Sequence, residues 1–338
     1  MPSPAYRLSL FDKTPVPEGM TAARALAFSV RFAREAEALG YHRLWLAEHH
    51  GGTALAGAAP EILAAFILAK TSRIRVGSGG VLLQHYSPYK VAEQFRVLAA
   101  LAPGRVDLGI GKAPGGLPFS TRALQAELAQ PLAAFEDKLA DLTAFLGDGP
   151  AEGHPLHGAR AYPDIDSAHP ELFLLGASDE SAAMAARHGW NLTFAGHFEG
   201  GDDAIRASFA SYKRLTGRSP SLSLSVIVAD TRAKAESQAA EQTVFRVHLP
   251  DGRNVNLPSE EAAREFARQA GAADFRLEKR DPRILAGTAD EVRAELDRLS
   301  ATFGITEFLI DLPATDPEAR LRAIRYLAPA TQHLQAAE

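Results

Sequence analysis

The stretch Tyr41-His42-Arg43-Leu44-Trp45-Leu46-Ala47-Glu48-His49-His50-Gly51 joins a short apolar segment to one carboxylate and two imidazoles. A strand that is buried on both faces is typically a continuous apolar run, so we predict a strand from Arg43 to Ala47. In parallel α/β folds, ligands bind where the strands leave the sheet at their C-terminal ends. His49 and His50 are therefore candidates for a general base, for metal ligands, or for hydrogen bonds to a bound ring.

Segments typical of strands and of helices alternate on both sides of this stretch. We predict eight strands, at residues 6–11, 43–47, 73–82, 105–110, 172–175, 191–194, 222–229 and 308–312. A helix is predicted at 21–39, with Thr21 as its N-cap and Gly40 as its stop. Further helices are predicted at 60–70, 89–101, 117–146 and 178–188, and a last one ends near Leu327.

Eight such units in a chain of 338 residues predict an α/β fold, the (β/α)₈ TIM barrel, which takes about 250 residues plus insertions. An open doubly wound sheet is the alternative, but no predicted strand is followed by G-x-G-x-x-G. We predict a single domain over 1–338 with a loop insertion at 147–169. A second insertion, at 244–283, follows the seventh strand on the active-site side. We expect a helix at 259–270 within it and otherwise neither a strand nor a simple crossover helix.

The composition excludes several classes of protein. The chain is 46% hydrophobic and 23% charged, as in ordinary globular proteins, and its net charge of -5 without a basic patch argues against nucleic acid as a partner. The absence of cysteine excludes disulfides, a thiol nucleophile, iron–sulfur clusters and Cys-based zinc sites. Neither a secretory signal nor an apolar run of about 18 residues is visible, so we expect no membrane span and a cytoplasmic protein.

The histidine pair leaves more than one interpretation open. Adjacent residues at a strand end point in different directions, and no third ligand at a recognisable spacing accompanies His49 and His50. His154 and His157 lie three residues apart, but in a segment rich in Pro and Gly. We therefore predict no metal site. The remaining interpretations are a role in an active site and two structural histidines held by local hydrogen bonds.

Glycines accumulate at the end of the third predicted strand, in Val76-Gly77-Ser78-Gly79-Gly80-Val81. Glycine weakens a strand interior, so three glycines in four positions need a physical reason. One reason is the close approach of a flat ligand to the backbone, and another is a strained peptide. A simple bulge would also explain them.

Two further segments are candidates for binding an anion. Gly109–Gly116 ends the fourth strand and lacks the full phosphate-loop pattern, so Lys112 either faces an anion or is merely solvated. Leu175–Ala182 crosses from the fifth strand into a helix, whose free N–H groups and positive dipole end favour an anion. Ser178 and Ser181 can both face that first turn, although Ser178 can equally be an ordinary N-cap.

In their order and spacing, these motifs together resemble the bacterial luciferase-like flavin monooxygenases. The resemblance runs from Leu8–Asp12 to Phe308–Asp311 and so covers nearly the whole chain. The residues that carry it are Leu46–His50, Ser72–Gly80, Val91–Phe95, Pro103–Gly111, and Leu175–Ser178 with Ser181, Ala182 and Gly189.

This resemblance implies a barrel that binds FMN at its C-terminal mouth, with His49 as the catalytic imidazole. It implies a non-prolyl cis peptide at Gly79–Gly80 packed against the flavin ring, and a flavin phosphate held by Ser178, Ser181 and the helix N-terminus. Lys112 would be the cationic partner, at a position where relatives usually have Arg. The cofactor-binding residues implied are Glu48, Gly79, Gly80, Gly111, Lys112, Gly176, Ala177, Ser178 and Ser181.

The function implied is that of a two-component monooxygenase, which uses reduced FMN as a co-substrate and O₂ to oxygenate a small organic substrate. A separate NAD(P)H:flavin reductase would supply the reduced FMN. Hydride transfer with a flavin or a deazaflavin is one alternative, and a non-catalytic flavin-binding homologue is another. We also expect a homodimer through the early helices at 60–70 and 89–101. The substrate is not identified, but the insertion at 244–283 is expected to line its pocket with Arg246, His248 and Arg253.

Overall fold

The computed structural model describes residues 6–165, 168–196 and 201–328. Eight parallel strands, numbered with all others in chain order, pair with their neighbours in a closed ring. Around the ring lie β1 (Arg7–Asp12), β2 (Arg43–Leu46), β3 (Arg75–Leu82), β4 (Val106–Gly111), β5 (Glu171–Gly176), β6 (Asn191–Ala195), β7 (Ser221–Val228) and β12 (Glu307–Asp311). The last strand pairs with both β7 and β1. The predicted (β/α)₈ barrel is confirmed.

Eleven helices lie among the described residues. They are α1 (Ala22–Ala38), α2 (Pro60–Leu68), α3 (Pro88–Leu101), α4 (Pro118–Leu124), α5 (Phe135–Leu146), α6 (Asp179–Arg187), α7 (Asp202–Thr216), α8 (Arg232–Ala240), α9 (Glu260–Gln269), α10 (Ala289–Phe303) and α11 (Pro317–Tyr326). Thr21 caps α1 as predicted, since its side chain accepts from the Arg24 N–H. No helix in these described ranges is long and apolar enough to cross a membrane.

Two predictions about the helices were wrong. The single helix expected at 117–146 is two helices, α4 and α5, because Pro131 cannot donate to a helical hydrogen bond and its ring blocks the preceding turn. The helices α7, α8 and α10 were not predicted at all. For α10 a signal was present, because Thr288 and Glu291 form a capping box at its start.

The barrel strands show a period of two, which is interrupted only in β3, where the register shifts after Gly79. Even-numbered residues such as Leu44, Leu108 and Phe308 belong to the large core between the strands and the helices. Odd-numbered residues point into the barrel, where Phe11, Trp45, Ala47, Phe173 and Leu309 form a separate apolar cluster. Because side chains alternate across a strand, every second residue of each strand lines the barrel interior.

The N-terminal end of the barrel interior holds a buried ionic cluster. Arg43 donates to Asp107 and to Glu307, at 2.7 Å each. Arg75 donates to the other oxygen of Asp107 at 2.6 Å, and the Trp45 indole N–H donates to Asp107 at 2.9 Å. Every one of these charges has an opposite partner within the cluster, which is the condition for burying them.

The insertion at 244–283 contains strands that were not predicted. Three antiparallel strands, β8 (Val244–His248), β9 (Asn254–Leu257) and β10 (Arg276–Arg280), form a separate sheet with β8 in the middle. The predicted helix is confirmed as α9, which packs on the apolar face of this sheet around Val247 and Phe266. A further strand, β11 (Ile284–Gly287), pairs with β7 outside the ring. Alternation of apolar Phe245 and Val247 with Arg246 was the sequence signal for β8.

The other predicted insertion, at 147–169, is a loop as expected. Its described residues, 147–165 and 168–169, form neither a helix nor a strand. Residues 166 and 167 lie outside the described part of the chain.

Candidate active site

His49 stands two residues beyond Ala47 on the inward-facing row of β2. Its backbone N–H donates to the Gly57 carbonyl at 2.8 Å, which fixes the chain just after the strand. The imidazole is half-buried, and its Nδ1 atom is shielded from solvent with no hydrogen-bond partner. Burial, followed by the positive charge of Lys13, lowers the pKa of His49 to about 4. The structure therefore places a neutral imidazole with a free nitrogen at the barrel mouth.

Glu48 and His50 face away from this row and bind each other. The His50 Nε2 atom lies 2.7 Å from the Glu48 carboxylate, which also accepts from the Tyr86 hydroxyl at 2.6 Å and from the Leu82 N–H at 3.0 Å. Burial, and then the hydrogen bond to Glu48, raises the pKa of Tyr86. Glu48 therefore ties the end of β2 to the end of β3 and fixes the backbone on which His49 sits.

The two histidines thus have different surroundings, as the alternation of side chains requires. In the ranges that the structure describes, no group of three or more His, Asp or Glu side chains could hold a metal ion.

The end of β3 is shaped by close backbone contacts. The peptide bond between Gly79 and Gly80 is cis, as the resemblance implied. A Cβ atom on Gly79 would lie 2.8 Å from the ring of Phe11, and one on Gly80 would lie 2.6 Å from the Gly109 carbonyl oxygen. The register to β4 shifts between Gly79 and Val81, so the irregularity expected of a bulge is present as well. No larger residue fits at either position without displacing its neighbours.

The N-terminus of α6 contains the predicted serine pair. The Ser178 Oγ atom accepts from the Ser181 N–H at 3.2 Å and lies 3.1 Å from the Ser181 Oγ atom. Ser178 is thus an N-cap, which is one of the two alternatives from the sequence, and both hydroxyls face the same turn. A Cβ on Gly176 would overlap the Ser181 side chain, so glycine lets the helix sit close to the strand end. Exposed Ala177 lies between strand and cap.

Lys112, from the end of β4, reaches the same turn. Its Nζ atom lies 3.8 Å from the Glu180 carboxylate, and both side chains are largely exposed. Gly111 before it has room for a Cβ in ordinary contact with Leu82. The structure therefore brings the predicted cation and the predicted serines together, although a carboxylate of the first turn stands beside them.

The structure also shows polar residues at the mouth that the sequence analysis missed. Lys13 follows β1, and its Nζ atom donates to the Asp311 carboxylate of β12 at 2.7 Å. Asp311 also accepts from the Ser225 hydroxyl of β7 at 2.8 Å. All three are odd-numbered and inward-facing, so the period of two was the signal that could have found them.

The polar candidates in the second insertion have partners of their own. His248 lies 2.8 Å from the Glu278 carboxylate on the neighbouring strand, and Arg253 pairs with Asp251 in the exposed turn. Arg246 lies between Asn256 and Glu278 in the strand register. The insertion reaches the mouth side of the barrel through α4, because the Phe119 N–H donates to Gln269 of α9 at 3.0 Å.

An imidazole, a glycine-rich strand end and a serine-capped helix N-terminus lie at the C-terminal mouth of this (β/α)₈ barrel, which is where enzymes of this fold carry their active sites. A sequence profile of the luciferase-like monooxygenase family matches residues 6–307. The chain therefore belongs to the luciferase-like monooxygenase family, and the expectation that it is an enzyme is confirmed.

Individual relatives support this assignment. The N-acetyl-S-alkylcysteine monooxygenase of Bacillus subtilis (strain 168) is 43% identical over 312 residues, which cover 91% of this chain and 92% of that protein. The solved structure of apo-MsnO8 is 34% identical, covers 96% of this chain and 97% of its own, and has a TM-score of 0.73. The FMN-bound oxygenating constituent of 3,6-diketocamphane monooxygenase from Pseudomonas putida shares the fold, at 18% identity, 96% and 97% coverage and a TM-score of 0.67.

Proposed function

We propose that this protein is a two-component monooxygenase that uses reduced FMN and O₂ to oxygenate a small organic substrate. The observation that carries the proposal is the inward-facing His49, whose buried Nδ1 atom lacks a partner beside the glycine end of β3. A buried polar atom without a partner is uncommon in a folded protein and indicates a group completed by a ligand.

The residues of the mouth fit FMN. The N-terminus of α6 supplies free N–H groups and the positive end of a helix dipole, and Ser178, Ser181 and Lys112 add donors for a phosphate. Gly79 and Gly80, in their cis peptide, would lie against the flavin ring, because they leave the backbone uncovered by side chains. Glu180 is largely exposed and lies 3.8 Å from Lys112, so it can turn away when a phosphate takes its place.

When bound, reduced FMN would supply two electrons, so that one atom of O₂ enters the substrate and the other leaves as water. The residues of the chain would bind, orient and transfer protons. His49 is neutral at physiological pH, so its free nitrogen can accept a proton at the mouth. The Glu48–His50–Tyr86 contacts hold its backbone in place, and the barrel wall limits the access of water.

We further propose that the substrate is a small thioether of the N-acyl-S-alkylcysteine type. The relative that shares 43% of its residues over 91% of this chain is named for oxygenating such compounds. The second insertion, which α4 connects to the mouth, would line much of the pocket.

The test is a single-turnover experiment in which the protein, reduced FMN and N-acetyl-S-methylcysteine are mixed with oxygenated buffer. Mass spectrometry should detect a product, or its cleavage products, containing one atom of ¹⁸O from labelled O₂. The variant His49→Ala should slow product formation by about 10²- to 10⁴-fold, the usual contribution of a positioned acid or base. FMN binding by this variant should change little, since the proposed contacts to the flavin ring and phosphate come from β3, β4 and the N-terminus of α6.

The control variant is His154→Ala, which removes an imidazole from the loop insertion, where it pairs with Asp141. It should retain full activity. Unchanged turnover in His49→Ala would contradict the catalytic role, and a lack of ¹⁸O incorporation across a panel of thioethers would contradict the substrate class.

We propose a separate NAD(P)H:flavin reductase as the partner enzyme, because the sequence contains no G-x-G-x-x-G fingerprint for a dinucleotide after any strand. The protein with FMN and NADH alone should therefore oxidise no NADH until a flavin reductase is added.

We also propose a homodimer through α2 and α3. Four large apolar side chains on these helices are exposed: Ile62 and Phe66 on α2, and Val97 and Leu101 on α3. Large apolar side chains exposed on neighbouring helices favour a protein–protein contact. Light scattering at micromolar concentration should give twice the chain mass of 36.2 kDa, and Phe66→Asp should give the single chain.

A further inference from the structure

The inward-facing positions at the barrel mouth divide into two unlike halves. One side consists of glycines and one apolar residue from β3, β4 and β5: Gly79, Gly80, Gly111 and Leu175. On the other side lie the polar residues of β7, β12, β1 and β2: Ser225, Asp311, Lys13 and His49. The first half, next to the N-terminus of α6, is the one that fits a flavin. The second half is left for the organic substrate.

Lys13 is the one side chain with a permanent positive charge among these eight inward-facing positions. Its Nζ atom lies 6.0 Å from the centre of the inward-facing Phe11 ring, and that ring in turn contacts the position of Gly79. The ammonium group therefore lies at the mouth, one aromatic ring away from the site proposed for the flavin ring.

The ion pair with Asp311 fixes Lys13 without consuming its hydrogen-bonding capacity. The Asp311 side chain is 3% exposed, whereas that of Lys13 is 30% exposed. An ammonium group has three donors, and only one is directed at Asp311. Ser225 holds the same carboxylate oxygen from the other side at 2.8 Å. The buried carboxylate thus acts as a positioning residue for an ammonium group that faces the mouth.

We propose that Lys13 binds a carboxylate of the substrate and so selects carboxylic acids over their neutral analogues. This inference rests on the proposed function, since it assigns the substrate half of the same mouth. Two N–H donors of a fixed, partly buried cation match the acceptor oxygens of a carboxylate, and such charge-assisted bonds are the strong ones. Because His49 is neutral, Lys13 carries the positive charge that a substrate carboxylate would contact in this half of the mouth.

The test measures equilibrium binding by calorimetry, in the presence of saturating oxidised FMN and without a reductant, so that no turnover occurs. The probes are N-acetyl-S-methylcysteine and its primary carboxamide. The wild-type protein should bind the acid more tightly than the amide. Lys13→Met, which keeps the length of the side chain, should weaken binding of the acid by about 10- to 100-fold and leave binding of the amide nearly unchanged. Lys13→Arg, which keeps the charge, should restore most of the affinity for the acid.

Three outcomes would overturn the inference. The acid and the amide bind equally well to the wild type, or not at all; Lys13→Met weakens both by the same factor; or Lys13→Met lowers the affinity for FMN, which would assign Lys13 to the cofactor. Thermal unfolding of each variant confirms that it is folded before binding is measured. Failure of the proposed function is distinguishable, because it would leave the difference between acid and amide intact while no oxygenated product forms.

Discussion

The two ends of the barrel interior use the same inward-facing rows of side chains in opposite ways. At the N-terminal end, Arg43 and Asp107 are almost completely buried, with side-chain exposures of 2% and 0%, and each charge is matched by another. At the C-terminal mouth, His49 keeps an unpartnered nitrogen and Lys13 keeps exposed donors. At the N-terminal end, fully paired charges stabilise the barrel. At the mouth, polar groups that lack a partner form a binding site.

The largest effect is expected at the N-terminal end of the barrel interior, on replacing Asp107 by Ala. This change leaves Arg43 and Arg75 without the carboxylate they share, and removing one partner of a buried ion pair costs about 3–5 kcal/mol. The free energy of unfolding should fall by that amount, measured by urea denaturation with far-UV circular dichroism.

The matched control for this variant is Glu136→Ala, which removes an exposed carboxylate paired with Arg187. The unfolding midpoint of this control should not change measurably, because exposed ion pairs contribute little. An equally small effect for Asp107→Ala would erase the distinction between the two ends of the barrel.

A smaller effect is expected at the C-terminal mouth, on replacing Lys112 by Ala. Its side chain is largely exposed, so its loss should weaken FMN binding only about fivefold, as expected for about 1 kcal/mol, and should leave the unfolding midpoint unchanged. Fluorescence quenching of the flavin measures this affinity. Glu180→Gln should change the affinity in the opposite direction, because it removes a negative charge next to the proposed phosphate site.

Riboflavin, which lacks the phosphate, provides the matched ligand for this comparison. Its affinity should be the same for the wild type and both variants. A parallel loss of riboflavin and FMN binding in Lys112→Ala would contradict a phosphate contact and indicate a change in the mouth itself.

The smallest effect is expected in the pH dependence of kcat/KM. Burial and Lys13 both disfavour the protonated imidazole, so the pKa of His49 is lowered to about 4. A base must be neutral, so activity should stay level from about pH 7 to pH 5 and fall to half near pH 4, rather than near the usual histidine value of about 6.5. Lys13→Met should move this limb to higher pH, because one positive charge beside the imidazole is removed.

Residual activity in His49→Ala serves as the control for the profile, and it should lack this acidic limb. A half-loss of activity near pH 6.5 in the wild type would show that His49 is solvated like a surface histidine and that the mouth does not exclude water around it.

Much of the site could be predicted because parallel strands all leave the sheet in the same direction. His49, Lys112 and Ser178 each follow a predicted strand and Gly79–Gly80 lie at the end of one, so the barrel brings them to one rim although they are far apart in sequence. The strands of the second insertion were missed for the opposite reason. Their residues are only half-buried, so β8 carries Arg246 and His248 between apolar positions and does not form a continuous apolar run.

The partner of each polar group was beyond sequence reasoning. The resemblance implied Glu48 as a cofactor-binding residue, and in the structure its carboxylate is bound by His50, Tyr86 and the Leu82 N–H. Lys13 and Asp311 are 298 residues apart and meet because β12 closes the ring against β1.

The sequence by itself determined the barrel, the order of its strands and the rim on which the chemistry lies, because hydrophobic periodicity and turn residues act locally along the chain. Tertiary structure alone decided which polar groups are satisfied and which remain open. Closure of the ring sets those distances, and so it pairs every charge around Arg43 while leaving the Nδ1 atom of His49 without a partner.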